Sequence, residues 1–313
     1  PQVCLYAKLE AANPGGSAKD RPAREMIEQA LARGDINEHS TIVESSSGNM
    51  GIGLAQTCRY YGLRLICVVD PKALPQNVAI MRALGAEIDC VTTPLDGDYL
   101  AARLARVCCP HEPTEGSHCP NHYANLDNPR SHEQGAFREI DEQLHGEFDY
   151  VLVATSSTGT ALGCRNYLRA RGHRATVVAV DAVGSVLFGG AAGPRHIPGM
   201  GAGRQSRLAR IAAFDDVVRV TDLDCVVGCR RLAAREALLA GGSAGGVLEA
   251  CRREAARFRD KTCVAILHDS GTRYLETVYN DQWVQQRLGA SPQDLAALVD
   301  REPVLATAPA PCR

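Results

Sequence analysis

No stretch of this 313-residue chain is apolar for long enough to cross a bilayer. Runs such as Leu65–Val69 and Val151–Ala154 fall far short of the roughly 18 residues a membrane helix needs. Neither sign of charge predominates: 34 Lys+Arg against 36 Asp+Glu leave a formal charge of −2, which excludes bulk electrostatic capture of nucleic acid or of an acidic membrane. Any partner must therefore be recognised locally. The start Pro1-Gln2-Val3 lacks a secretory pattern, so a cytoplasmic protein is expected. The first residue is proline rather than methionine, and preceding residues are expected to have been removed or omitted. No internal repeat is evident, and no C-x-x-C pair occurs.

What is present is globular in character. Hydrophobic residues make up 45% and charged residues 22%, which excludes disorder of the whole chain and fits one large or two medium domains. Thirteen cysteines, an odd count spread over a long chain, argue against a disulfide framework and for reduced thiols. One cluster, Cys108, Cys109, His111, His118, Cys119 and His122, is rich in zinc-type ligands. Pro120 breaks any helix face shared by His118 and His122, so a polar loop and no metal are expected there.

Short aliphatic or β-branched runs alternate with segments of helical period, the signature of parallel sheets covered by helices. Strands are expected at Val3–Leu9, Thr41–Val43, Arg64–Val69, Glu87–Val91, Asp149–Ala154, Thr176–Val180, Asp216–Val220 and Thr262–Leu267. Helices are expected at Arg21–Arg33, Gly51–Tyr61, Pro75–Leu84, Tyr99–Val107, His132–Leu144, Thr160–Arg171, Asp222–Leu239, Gly246–Arg259 and from Thr272 onward. Between Gly184 and Arg204 seven glycines fall in a poorly periodic run that reads as a long functional loop. From Gly289 the chain turns Ala- and Pro-rich and is expected to be a disordered tail.

Five short segments carry chemistry. Asn13-Pro14-Gly15-Gly16-Ser17-Ala18-Lys19-Asp20-Arg21-Pro22 delivers a lysine to a helix start, in a chain whose lysines are only Lys8, Lys19, Lys72 and Lys261. Either it is a solvated side chain in an ordinary loop or its environment prepares it to form an imine with an aldehyde cofactor. Glu44-Ser45-Ser46-Ser47-Gly48-Asn49-Met50-Gly51 follows a strand and opens a helix, an arrangement suited to a carboxylate or simply to N-capping. Ala154-Thr155-Ser156-Ser157-Thr158-Gly159-Thr160 has the same placement and suits a phosphate, but lacks the lysine of a P-loop and the G-x-G-x-x-G pattern. Gly241-Gly242-Ser243-Ala244-Gly245-Gly246 reads as a flexible turn between helices, and His268-Asp269-Ser270-Gly271 as an N-cap after the last strand.

In their order and spacing these segments resemble the fold-type II pyridoxal-phosphate enzymes, the cysteine synthase and cystathionine β-synthase superfamily, from about residue 3 to 288. The resemblance implies a fold like the tryptophan synthase β chain, with two three-layer α/β/α domains built on mostly parallel sheets. A small mobile domain would span 12–123, and a large cofactor-binding domain 1–11 with 124–288. It implies pyridoxal 5'-phosphate on Lys19 as a Schiff base, with Asn49 on the ring hydroxyl. Ser156, Ser157, Thr158, Gly159 and Thr160 would hold the phosphate, and Ser270 would face the pyridine nitrogen. Ser46, Ser47 and Gly48 would receive the substrate α-carboxylate. A neutral serine at that nitrogen leaves the ring a weaker electron sink than a carboxylate would, which suits β-elimination, with Lys19 taking the α-proton. A homodimer is a further family expectation.

The Ser-Ser-Ser-Gly-Asn loop, the Thr-Ser-Ser-Thr-Gly-Thr loop and Asn121-His122-Tyr123-Ala124-Asn125 resemble a siderophore-pathway branch more than the cysteine synthases. Members of that branch join O-phospho-L-serine to L-glutamate through an aminoacrylate, giving N-(2-amino-2-carboxyethyl)-L-glutamate, a 2,3-diaminopropionate precursor. An arginine at Arg103 or Arg106 is the candidate for the leaving phosphate. Ser185, Arg195, Arg204 and Tyr123 are candidates for the second amino acid. The alternative is a cysteine synthase that uses O-acetylserine or O-phosphoserine with sulfide.

Overall fold

The computed structural model describes residues 3–108, 116–212, 214 and 216–300. The chain divides into two compact units: Asn13–Ser131, and Pro1–Ala12 together with His132–Arg313. The larger unit opens with β1 (Cys4–Leu9). The inserted unit then runs α1 (Asp20–Arg33), β2 (Thr41–Ser45), α2 (Asn49–Tyr61), β3 (Arg64–Val69), α3 (Pro75–Ala83), β4 (Glu87–Cys90), α4 (Tyr99–Cys108), β5 (Ser117–His118) and α5 (Asp127–His132). The larger unit resumes with a π-helical turn at Glu133–Phe137, α6 (Arg138–Leu144), β6 (Tyr150–Ala154), α7 (Gly159–Ala170) and β7 (Thr176–Ala182). It ends with α8 (Arg207–Ile211), β8 (Val217–Val220), α9 (Asp222–Glu236), α10 (Gly242–Arg253), β9 (Thr262–Leu267), α11 (Asp281–Leu288) and α12 (Pro292–Asp300).

Both sheets are parallel, and that explains why their strands read as unbroken apolar runs rather than as alternating patterns. All of β2 is buried. In the inserted unit the strand order is β4-β3-β2-β5, and in the larger unit β1-β9-β6-β7-β8. Each sheet therefore has a point where the chain order reverses, between β2 and β5 in one and between β6 and β9 in the other. In open parallel sheets the crevice for a ligand opens at the carboxyl ends of the strands at such a point.

Local chemistry sets the element ends. Gly34, at φ +76°, closes α1 and donates its N–H to Leu31 O. Residues 124–131 fall in the inserted unit, eight residues beyond the edge drawn at 123. Within α5, Asp127 Oδ2 accepts from Arg33 Nη1 (3.0 Å), and Asn128 Nδ2 donates to His122 O (2.7 Å).

Two expectations are corrected. The glycine run 241–246 is not a flexible turn: α10 begins inside it, at Gly242. A Cβ built on Gly245 would stand 2.0 Å from Cys225 O, and one on Gly228 2.1 Å from Gly245 O, so α9 and α10 approach backbone to backbone and only glycine fits. Residues 292–300 of the expected disordered tail form α12, held on α9 by Arg231, which donates from Nε to Val299 O (3.1 Å) and from Nη2 to Leu298 O. Buried Glu249 accepts from both Arg231 and Arg252. Residues 301–313 lie outside the described residues. Among the described residues no helix is long and apolar enough to cross a membrane.

Candidate active site

In the inserted unit the Ser46-Ser47-Gly48 turn leaves the carboxyl end of β2 and enters α2 at Asn49. Ser46 Oγ accepts the N–H of Gly51 (2.9 Å), which folds the turn over the first turn of the helix. Gly51 is required there, since a Cβ would lie 2.6 Å from Met81 Sδ and 2.9 Å from Ser46 O. Buried Asn77 donates from Nδ2 to Ser47 O (3.3 Å), and its Oδ1 has no hydrogen-bond partner. Sequence reasoning missed Asn77 because an asparagine in the first turn of α3 looks like any helix-start residue.

Lys19 is half-buried at the N-cap of α1 and donates its N–H to Ser17 Oγ (3.2 Å). Gly15 N–H donates to the Asp20 carboxylate, folding the glycine-rich loop back onto the helix. The backbone of Lys19 rests on α2 at Gly53, where a Cβ would come within 2.9 Å of Lys19 O. Gly53 lies four residues after Asn49 and shares its helix face. That contact brings Lys19 onto the face that Asn49 opens.

Across the crevice between β2 and β5 lie His122 and Tyr123, their ring centroids 4.0 Å apart. Burial pushes the Tyr123 phenol above its ordinary value, with Arg103 opposing the shift. Arg103 pairs with Asp70, which follows the end of β3, through Nε and Oδ2 (3.1 Å), both side chains largely buried. Arg106 is gripped by both carboxylate oxygens of Asp89, Nε–Oδ2 at 2.6 Å and Nη2–Oδ1 at 3.1 Å. Among the described residues no group of three or more His, Cys, Asp or Glu is arranged to hold a metal ion, and Cys109 and His111 lie outside them.

In the larger unit the segment Thr155–Thr160 leaves β6 and enters α7. Thr155, Ser157, Thr158 and Thr160 are buried, Ser156 half-buried, and no carboxylate stands among them. Thr158 adopts φ +68° directly before the helix and donates from Oγ1 to Ser157 O, which also accepts from Ser206 Oγ (3.1 Å). The first backbone bond into α7 runs from Leu162 N to Thr158 O, so the amides of Gly159, Thr160 and Ala161 precede the ladder. Thr160 Oγ1 lies 3.2 Å from Nε2 of fully buried His132, a residue that no sequence motif singles out.

After β9, the strand beside β6, Ser270 caps a 3₁₀ turn, accepting from Thr272 N–H (3.3 Å) and pairing with Thr272 Oγ1 (2.9 Å). Its neighbour Asp269 is buried and takes the hydroxyl of Tyr274. The 184–204 loop has no helix, and Ser185 is one of its internal ties rather than an open group. Its Oγ accepts from Leu187 N–H (3.3 Å) and Ala202 N–H (3.1 Å). Arg195 lies over Gly201 and Gly203, and Gly201 N–H donates to Thr155 O (2.7 Å).

These are two hydroxyl-rich turns at sheet switch points and a lysine held on a helix face, and the family whose sequence model matches residues 1–269 is described as pyridoxal-phosphate dependent enzyme. The chain belongs to that family. It is 46% identical over 289 residues to N-(2-amino-2-carboxyethyl)-L-glutamate synthase of Ralstonia nicotianae, covering 92% of this chain and 85% of the relative. O-acetylserine dependent cystathionine β-synthase from Helicobacter pylori superposes with TM-score 0.82 at 31% identity, covering 88% of this chain and 91% of that one. A hydrogen sulfide-producing enzyme from Fusobacterium nucleatum gives TM-score 0.80 at 29% identity, covering 87% and 90%. The fold class is thus the fold-type II architecture, and the protein is an enzyme.

The residues fit the family's cofactor. A phosphate dianion requires hydroxyl and amide donors without a competing carboxylate, and 155–160 supply that set at the start of α7.

Proposed function

We propose that the protein replaces the phosphate of O-phospho-L-serine with L-glutamate, giving N-(2-amino-2-carboxyethyl)-L-glutamate. The observation that carries this reading is the 46% identity over 92% of the chain to the synthase of that name. In the proposed assignment Lys19 holds pyridoxal phosphate, Asn49 takes its ring hydroxyl, Ser156, Ser157, Thr158, Gly159 and Thr160 its phosphate, and Ser270 its ring nitrogen. When bound, pyridoxal phosphate supplies an electron sink that acidifies the substrate's α-hydrogen.

The rest of the chemistry falls to the chain. Ser46, Ser47 and Gly48 at the start of α2 hold the substrate α-carboxylate with hydroxyls, amides and the helix dipole. The Lys19 amine takes the α-proton and later returns it to the same carbon. Arg103 is favoured over Arg106 for the departing phosphate, because the two forks of the Arg106–Asp89 pair already satisfy each other. Tyr123, against the His122 ring at the β2–β5 crevice, stays a phenol and offers a hydrogen bond. A homodimer in the cytoplasm belongs to the same proposal: β1 is an edge strand with Tyr6 and Leu9 more than a third exposed, a surface that solvated strands avoid. Light scattering should give twice the 33.5 kDa chain mass.

Mass spectrometry after mixing the enzyme with O-phospho-L-serine and either L-glutamate or sulfide tests the reaction. The adduct with glutamate is expected, and cysteine as the sole product would establish the alternative cysteine synthase reading. With O-acetyl-L-serine as donor, Arg103→Ala should cost less than with the phosphorylated donor. Equal losses would remove Arg103 from the leaving-group site.

Loading of the cofactor can be tested at Thr160. Thr160→Val removes the hydroxyl that meets His132 with little change of volume, and affinity for pyridoxal phosphate should weaken by ~1–3 kcal/mol. An unchanged dissociation constant would put the phosphate elsewhere.

A further inference from the structure

Glu44 and His122 have no part in the assignments above, yet they sit together at the β2–β5 crevice. Glu44 is 2% exposed and His122 5%. A carboxylate buried so deeply must be met by donors. Glu44 Oε1 accepts Ser45 N–H (2.9 Å) and Oε2 accepts His122 N–H (3.3 Å). His122 Nδ1 is buried and makes no hydrogen bond among the described residues, and the same Oε2 stands 3.4 Å from it.

A carboxylate opposite Nδ1 selects the tautomer protonated there and leaves the lone pair on Nε2. The ring is held from three directions. Glu44 reaches it from β2, Tyr123 packs against it from its own loop, and Asn128 Nδ2 of α5 donates to His122 O (2.7 Å). The Ser46–Gly48 turn begins two residues beyond Glu44.

The other charged and titratable groups at this crevice are Glu44, Arg103, Tyr123 and His118, the last on β5 and held below its ordinary value by burial. Glu44 lies opposite the ring, Arg103 is paired with Asp70, and burial raises the Tyr123 phenol above its ordinary value. We propose that His122 Nε2 is the general base that deprotonates the ammonium group of the second substrate. The inference rests on the amine reading of the reaction given above.

An amino acid arrives with its nucleophilic nitrogen protonated and its lone pair occupied. Its proton passes to Nε2, and the freed pair forms the N–C bond at the β-carbon from which the C–O bond to phosphate has broken. The phosphate leaves with its electron pair, the α-carbon recovers the proton it lost, and nothing is oxidised or reduced. Glu44 stabilises the imidazolium formed, as a buried carboxylate does behind a catalytic histidine.

The test uses the loaded enzyme, O-phospho-L-serine and two nucleophiles, L-glutamate and hydrosulfide, the latter arriving already anionic. His122→Gln keeps size and hydrogen-bonding capacity but no basicity. Turnover with glutamate should fall about 100-fold or more, and with hydrosulfide no more than about threefold. Glu44→Gln should lower turnover with glutamate more than with hydrosulfide. Nitrogen-15 NMR of the wild-type imidazole, with or without cofactor, should find Nδ1 protonated and Nε2 bare.

Equal losses on both nucleophiles, or an Nε2–H tautomer, would overturn the base alone. Should the glutamine variant misfold, the wild-type tautomer decides the matter. A wild-type enzyme that consumes hydrosulfide but no glutamate would overturn the amine reading and the base with it.

Discussion

Lys19→Ala should leave a colourless enzyme whose turnover is at least ~10³-fold lower, the scale expected when a group that both holds the cofactor and moves the α-proton is removed. The expectation starts from packing. Gly53 lets the Lys19 backbone rest on α2, on the face opened by Asn49, while Gly15 and Asp20 close the loop from which it projects. The other lysines are accounted for elsewhere: Lys8 is paired with Glu139, Lys261 with Asp149, and Lys72 stands over the Tyr99 ring. Borohydride treatment followed by peptide mapping reads the result directly. A cofactor adduct still fixed to the alanine variant would transfer the role to one of those three. Exogenous amines should restore part of the lost rate, since they can replace the proton acceptor but not the tether.

Gly245→Ala should be among the most damaging single-methyl changes in the molecule. In an ordinary helix the exchange gains about 1 kcal/mol from propensity. Here the new Cβ would stand 2.0 Å from Cys225 O, a main-chain atom that cannot swing aside, and α9 would have to move away from α10. Overpacking of that kind costs typically ~1–3 kcal/mol when side chains yield, and more when backbone must. The net expectation is a loss of about 3 kcal/mol or more, read as a lower denaturant midpoint at unchanged slope. An unchanged or raised midpoint would mean that the two helices are not in backbone contact. Gly228→Ala, opposite it, should behave alike.

The sheets were legible because their strands are parallel and the central ones are buried on both faces, so that Tyr150–Ala154 and Thr262–Leu267 read as plain apolar runs. β5 was not, since Ser117–His118 offers no run at all and pairs with β2 over two residues. The glycine run before α10 was misread because glycine's ordinary meaning is a turn; the helix survives there because a neighbouring backbone occupies the space of the missing side chains. α12 was hidden by an Ala- and Pro-rich composition, and the arginine that secures it, Arg231, lies more than sixty residues earlier. In the site, the turns that follow strands declared themselves through hydroxyls and glycine. Asn77 and His132 did not, and Glu44 and His122, though within marked segments, did not announce their pairing, because each meets its partner across a distance in sequence that only folding closes. Arg103 and Arg106 look alike in sequence, and folding pairs each with a carboxylate, Asp70 and Asp89.

Thr158 carries a consequence for how fast the enzyme can be charged. A β-branched residue at φ +68° is held against its own preference by about 1–2 kcal/mol, and it is kept there by its hydroxyl on Ser157 O and by Ser206 on the same oxygen. Glycine, usual where a chain must turn this way, would sit there relaxed and wander. Threonine instead keeps the loop taut in one shape, with the strain charged to the folding of the larger unit rather than to the arriving phosphate. If the proposed phosphate site is correct, capture there is governed by encounter, not by rearrangement. The same tension makes this turn a place where heat would be expected to loosen the protein first.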